Sequence, residues 1–141
     1  MNRKASAVWQ GDLKGGKGTM TAPSGVMTNA AYSFATRFED KPGTNPEELI
    51  AAAHAGCFSM ALSGELSKAG MVPERIETTA TVTLETVDGK PTVSKSHLTV
   101  KAKVPGADHA KFIEVANGAK AGCPISRLLK AEITMEATLE T

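Results

Sequence analysis

The chain has 141 residues, the size of one domain, and a formal net charge of +1 that leaves no basic footprint for nucleic acid. Apolar residues reach 41% but aromatics only 4%, so the core must be aliphatic and alanine-rich, with six Met as gap-fillers. No run approaches the roughly 18 apolar residues of a membrane helix, and the segment after Met1-Asn2-Arg3-Lys4 is too short and polar for a signal core.

The expected setting is therefore cytoplasmic, with no membrane partner. There glutathione and thioredoxin keep lasting disulfides rare.

The first forty residues read as short strands separated by the turn clusters Lys14-Gly15-Gly16-Lys17-Gly18 and Pro23-Ser24-Gly25. The first cluster superficially resembles a phosphate loop, but lacks the G-x-x-x-x-G-K-[ST] spacing and runs into a strand pattern. Ser33 to Glu39 reads as a further strand carrying Arg37 between Phe34 and Phe38.

A long helix follows. Asn45 suits its N-cap, Pro46 its first position and Glu48 its third, while Gly70 and Pro73 mark its end. Its span would be roughly 36 Å at 1.5 Å per residue. Its middle, Leu49 to Leu62, is apolar nearly all round, the pattern of a helix buried on every side. One small domain cannot supply that much cover, so a second subunit is expected.

Period-two alternation returns with Ile76, Thr78, Ala80, Val82 and Leu84, then Leu98, Val100, Ala102 and Val104, with Asp88-Gly89 as the hairpin turn. Asp108 to Lys120 reads as a helix with Phe112, Ile113, Ala116 and Ala119 inward. Pro124 opens a short helix to about Lys130, and Ile133, Met135, Ala137 and Leu139 form a last strand. The order gives an α+β fold in a single domain spanning 1–141.

Two cysteines carry the chemistry. Cys57 lies mid-helix in the apolar run, and Cys123 sits in Ala121-Gly122-Cys123-Pro124, where one helix stops and another starts. Two thiols far apart in sequence, each at a special backbone site, suggest a dithiol that cycles to a disulfide. Only the thiolate attacks a peroxide. Burial would raise the Cys57 pKa, so Cys57 needs a cation, and Arg37 is the strongest candidate by type. Cys123 can act as an N-cap, where backbone amides favour a thiolate and make it a good leaving group.

Rival readings exist for these residues. Arg37 could be a surface residue beside Glu39, and either cysteine could be an inert core thiol. His54 and Cys57, at i and i+3, could ligate zinc with Cys123 as a third ligand, but His97 and His109 have no ligand spacing. No G-x-S-x-G supports a serine nucleophile.

The stretch Thr44-Asn45-Pro46-Glu47-Glu48-Leu49 through His54-Ala55-Gly56-Cys57-Phe58-Ser59-Met60 resembles the signature helix of the OsmC/Ohr family, the osmotically inducible and organic hydroperoxide resistance proteins. Lys120-Ala121-Gly122-Cys123-Pro124 resembles its second cysteine motif, and the likeness runs from Val8-Trp9-Gln10-Gly11-Asp12 to Leu129-Lys130-Ala131-Glu132-Ile133. The arginine position looks more like the OsmC branch than the Ohr branch. Gly56 stands where that family leads one to expect alanine.

The resemblance implies a strand-rich N-terminal part, a long central helix and a second antiparallel sheet with a further helix, in an intertwined homodimer. It implies a cysteine-based peroxidase acting on organic hydroperoxides. Cys57 matches the peroxidatic cysteine and Cys123 the resolving one, with Arg37 and Glu47 as the activating charged pair. A dithiol of the dihydrolipoyl type would restore the pair, with no metal, haem, flavin or other cofactor. Glu47 precedes Cys57 by ten residues on one helix, about 15 Å along the axis and about 80° off in azimuth, so Glu47 would have to come from a second subunit. A dithiol redox sensor, or a hydrophobic-ligand-binding stress protein without turnover, is the alternative.

Overall fold

The computed structural model describes residues 1–141, which form two compact units, Met1–Leu49 and Ile50–Thr141. In the first, β1 (Ser6–Gln10), β2 (Lys17–Thr21) and β3 (Ala30–Tyr32) make a three-stranded antiparallel sheet. Gly18 on the central strand faces both Trp9 and Tyr32, whose rings stand 5.5 Å apart. A Cβ there would lie 2.5 Å from Tyr32 Cε1 and 2.6 Å from Trp9 Cε3, so only glycine lets the two rings close over the strand.

The segment expected as a fourth strand is instead a short helix, α1 (Phe34–Phe38). A capping box explains the difference. The Ser33 side chain accepts from Thr36 N–H at 3.3 Å, and Thr36 Oγ1 accepts from Ser33 N–H at 2.9 Å. Local polar bonds override the β-leaning Phe and Thr content.

The long helix α2 (Pro46–Lys68) starts as expected, with Asn45 Oδ1 accepting from Glu48 N–H at 2.8 Å. Asn45 also donates from Nδ2 to Thr36 O at 2.9 Å, so one side chain ties α1 to the first turn of α2. Asn45→Ala removes both bonds and should cost about 1–2 kcal/mol of stability, read from a urea midpoint shift at unchanged m-value. Asn45→Asp keeps the cap and should lose less. At the other end Met71 N–H returns to Leu66 O at 2.8 Å, a Schellman closure.

Ile50–Thr141 holds the aliphatic core: Phe58, Leu62 and Leu66 of α2 pack with Leu98, Val100, Ala102, Phe112 and Ala116. Only the stripe His54, Phe58, Leu62, Leu66 of α2 is fully buried, while Ala53, Gly56, Met60 and Gly64 are exposed, Met60 at 81%. The helix is thus buried on one side, not all round. By length and composition α2 is also apolar enough to cross a bilayer, contrary to the sequence expectation that no run approaches that length. The alanines raise its hydropathy together with the large apolar side chains of the core stripe.

β4 (Arg75–Val87) and β5 (Lys90–Lys103) form the expected hairpin, with Asp88 at φ 51° and Gly89 at φ 76° in the turn. A register shift at Thr83/Leu84 bends it. α3 (His109–Gly122) is N-capped by Asp108, which accepts from Lys111 N–H at 2.9 Å, and α4 (Pro124–Leu128) follows at once. β6 (Glu132–Glu140) then lies parallel to β5, in the order β4-β5-β6. The second sheet is therefore mixed rather than antiparallel throughout. The α3–α4 crossover returns the chain to the end where β5 began, and a returning strand can then only run parallel.

Candidate active site

Cys57 lies one turn along α2 from His54 and beside Phe58, part-buried and packed on the core. Cys123 is 1% exposed and serves two helices. Its N–H closes α3 on Ala119 O at 2.9 Å, and its Sγ caps α4 by accepting from Ser126 N–H at 3.4 Å. Both cysteines are free thiols, and each shifts the proton affinity of the other.

Their environments push them apart. Burial raises the Cys57 pKa, the Ile125 backbone lowers it by less, and Cys123 adds to the rise, so the net shift is upward. Burial also works against the Cys123 thiolate, but the Ser126 hydroxyl and N–H, the Cys57 thiol and the Ile125 backbone outweigh it, and the net shift is downward. In a five-residue helix this help comes from individual N–H groups rather than a summed dipole. Within this unit Cys57 holds its proton more tightly than an ordinary thiol, so a peroxidatic Cys57 needs a cation brought to it.

The residues that could bring one meet in the first unit. Arg37 Nε donates to Glu47 Oε1 and Oε2 at 3.0 and 3.3 Å, and Nη2 donates to Oε1 at 2.9 Å. Glu47 is 8% exposed and lies in the first turn of α2, where the helix dipole favours an acid. The Arg37 guanidinium lies 5.2 Å over the Phe38 ring. It borders a cavity of about 250 Å³ lined by Trp9, Leu13, Tyr32, Ser33, Phe34, Arg37 and Phe38. The structure thus brings the four sequence-derived site residues together as two pairs, Cys57 with Cys123 and Arg37 with Glu47.

A family model described as "OsmC-like protein" matches residues 38–138. The "Peroxiredoxin OsmC" of Escherichia coli (strain K12) is 50% identical over 141 residues, covering 100% of this chain and 99% of its own. The chain belongs to the OsmC family.

Solved OsmC-family structures share the fold. The crystal structure of an OsmC-like protein from Mycoplasma pneumoniae superposes with a TM-score of 0.75 at 15% identity, covering 100% of this chain and 99% of the other. That of the organic hydroperoxide resistance protein OhrB of Bacillus subtilis gives 0.64 at 23%, covering 97% and 98%. The α+β architecture with two sheets is thus the OsmC-family fold.

In this OsmC-family chain, sequence reasoning missed what surrounds His54. The imidazole is fully buried, with Nδ1 2.7 Å from Ser96 Oγ and Nε2 2.7 Å from Ser126 Oγ. Both ring nitrogens, weighed above as a zinc ligand, are engaged by hydroxyls. Burial lowers the His54 pKa and keeps the ring neutral. One signal was present: Ser96 is in phase with Leu98, Val100 and Ala102 on the inward pleat of β5, which places a hydroxyl inside an aliphatic core. Nothing local in the sequence pairs it with Ser126.

Proposed function

We propose that the chain is a thiol peroxidase that reduces organic hydroperoxides to alcohols. The observation that carries this reading is two free thiols packed on one aliphatic core, with proton affinities driven in opposite directions. The names of the relatives, a peroxiredoxin and organic hydroperoxide resistance proteins, support the same chemistry.

The Cys57 thiolate attacks the terminal peroxide oxygen. The O–O bond breaks, the alkoxide takes a proton and leaves as alcohol, and Cys57 becomes a sulfenic acid. Cys123 then displaces hydroxide from that sulfur to give the Cys57–Cys123 disulfide and water. An external dithiol, of the dihydrolipoyl type, reduces the disulfide by exchange. Arg37 supplies the cation Cys57 lacks, and Glu47 holds the guanidinium in place. The aromatic cavity beside Arg37 suits a hydrophobic ROOH. No redox cofactor enters the cycle, and a reducing cytoplasm would supply the dithiol.

A homodimer fits this reading. The exposed apolar side of α2 is the kind of surface a second copy covers. Glu47 and Cys57 lie about ten residues apart on one helix and so cannot meet within it. Arg37 and Glu47 of one subunit would serve Cys57 of the other, in two composite sites related by a two-fold axis. Light-scattering mass and activity of mixed Cys57→Ser and Glu47→Ala subunits test this; a fully active monomer refutes it.

Steady-state consumption of cumene hydroperoxide with dithiothreitol or dihydrolipoamide tests the reaction itself. Sustained turnover is expected. One equivalent consumed without regeneration would favour a redox sensor instead. Arg37→Ala should raise the Cys57 pKa, since a neighbouring cation is worth about 1–3 units. It should slow peroxide reduction by roughly 10- to 1000-fold at neutral pH, with Arg37→Lys rescuing only part. A pH titration of Cys57 alkylation checks this; an unchanged profile removes Arg37 from the mechanism.

A further inference from the structure

Three polar side chains from three elements form a buried line that ends on a thiol. Ser96 of β5 meets His54 of α2 at 2.7 Å, His54 meets Ser126 of α4 at 2.7 Å, and Ser126 Oγ lies 3.4 Å from Cys123 Sγ. Ser96 and His54 are fully buried and Ser126 is 8% exposed. Hydroxyls and an imidazole in an aliphatic core are tolerated only when paired, and no buried side-chain polar atom here lacks a partner. Packing would be served as well by apolar side chains at all three positions. A satisfied core histidine also needs no thiol at the end of its line.

The donor and acceptor inventory sets a direction. A neutral imidazole has one N–H and one lone pair. When Nδ1–H donates to Ser96 Oγ, Nε2 accepts the Ser126 O–H, and Ser126 Oγ is free to accept the Cys123 S–H. The thiol proton then has a two-step path to a buried base.

We propose that Ser96, His54 and Ser126 form a proton relay that takes the Cys123 thiol proton as the disulfide forms. The relay rests on the peroxidase reading for its reaction partner, the Cys57 sulfenic acid. The Cys123 S–H proton passes to Ser126 Oγ while the Ser126 proton passes to His54 Nε2. The Cys123 sulfur forms the S–S bond as the Cys57 S–O bond breaks; the sulfenic sulfur is reduced to the disulfide level and the thiol sulfur is oxidised to it. The proton held on His54 Nε2 then returns through Ser126 Oγ to the leaving hydroxide, which departs as water, and the imidazole ends neutral. Ser126 touches the reacting sulfur and is the catalytic member. His54 acts through Ser126, and Ser96 through His54; both are positioning residues. Cys57 and Cys123 are the titratable groups acting on one another here, and burial alone acts on His54. His97 of β5 sits on the opposite pleat and bonds Thr134 Oγ1 at 2.6 Å.

The test is single turnover of reduced protein with one equivalent of cumene hydroperoxide. Sulfenic acid is trapped with a dimedone probe and disulfide is followed by quench and mass spectrometry from pH 6 to 9. In Ser126→Ala, sulfenic acid should form at the wild-type rate. Disulfide formation should slow by about 100-fold at neutral pH, the low end for general acid–base catalysis, and recover as pH rises and Cys123 ionises unaided. Ser126→Thr restores the hydroxyl and should restore the rate. His54→Gln keeps volume and one hydrogen bond but cannot carry the proton; it should reproduce the slow step and provides the answer if Ser126→Ala fails to fold. Wild-type resolution rates and pH profiles in both variants overturn the relay. Alkylation of Cys123 against pH needs no peroxide and separates the two claims. Without sulfenic acid in the wild-type protein the peroxidase reading falls, while an upward shift of the Cys123 profile in His54→Gln, which leaves the Ser126 hydroxyl in place, still supports the buried line as its proton acceptor, and an unshifted one overturns it.

Discussion

Cys57→Ser is expected to reduce peroxide turnover to the rate of the protein-free reaction. A thiolate is far more nucleophilic toward peroxide oxygen than an alcohol, and a serine has no base beside it here to make an alkoxide. Cys123 cannot substitute, although its thiolate is the more stable of the two in the unit described above. It is 1% exposed, and the groups that lower its pKa also occupy its sulfur. Cys123→Ser should behave differently: the first equivalent of peroxide is consumed, the sulfenic acid persists, and excess peroxide drives it to sulfinic acid. Mass spectrometry after cumene hydroperoxide distinguishes the two variants. Substantial turnover by Cys57→Ser would overturn the assignment of roles.

The largest loss of stability is expected from Phe58→Ala. Phe58 is fully buried, one turn from both His54 and Leu62, in the cluster that includes Leu98, Val100 and Phe112. A chain with so few aromatics cannot refill a phenyl-sized cavity from its neighbours. The cost is about 3–5 kcal/mol, a large part of the roughly 5–15 kcal/mol that holds such a domain together. Thermal unfolding should fall on the order of 10–20 °C. Phe58→Leu keeps most of the volume and should cost under about 1.5 kcal/mol. A loss below that figure in Phe58→Ala would show that the site collapses around the deletion. Because Phe58 adjoins Cys57, activity should be compared well below the midpoint of each variant.

Where the physics was local, the sequence was legible. Asn45-Pro46-x-Glu48, Asp88-Gly89 and Cys123-Pro124 each specify a cap or turn within a few residues, and each forms where its chemistry demands. The failures have physical causes. Phe34–Phe38 looks like a strand by propensity, yet Ser33 and Thr36 close a capping box whose bonds no alternation score registers. The parallel placement of β6 depends on how α3 and α4 carry the chain back, which no period-two pattern encodes. Ser96, His54 and Ser126 come from three distant segments, and only the folded chain lines them up. The cysteines were conspicuous because each sits in an unusual local context; the serines were not.

The position of β6 has a consequence for how the chain reaches this state during synthesis. The β4–β5 hairpin closes on a two-residue turn and can form as soon as Lys103 is made, on a timescale of microseconds. Its partner on the other side of β5 comes last, after α3 and α4, at Glu132–Glu140. At about 5–20 residues per second the ribosome leaves β5 with a bare edge for seconds, and its inward pleat bears Leu98, Val100 and Ala102. A nascent sheet in that condition can recruit a strand from another chain. The lysines of the outward pleat, Lys101 and Lys103, are the charges that natural sheets set against such pairing. In the finished sheet they are paired with Glu140 and Glu74.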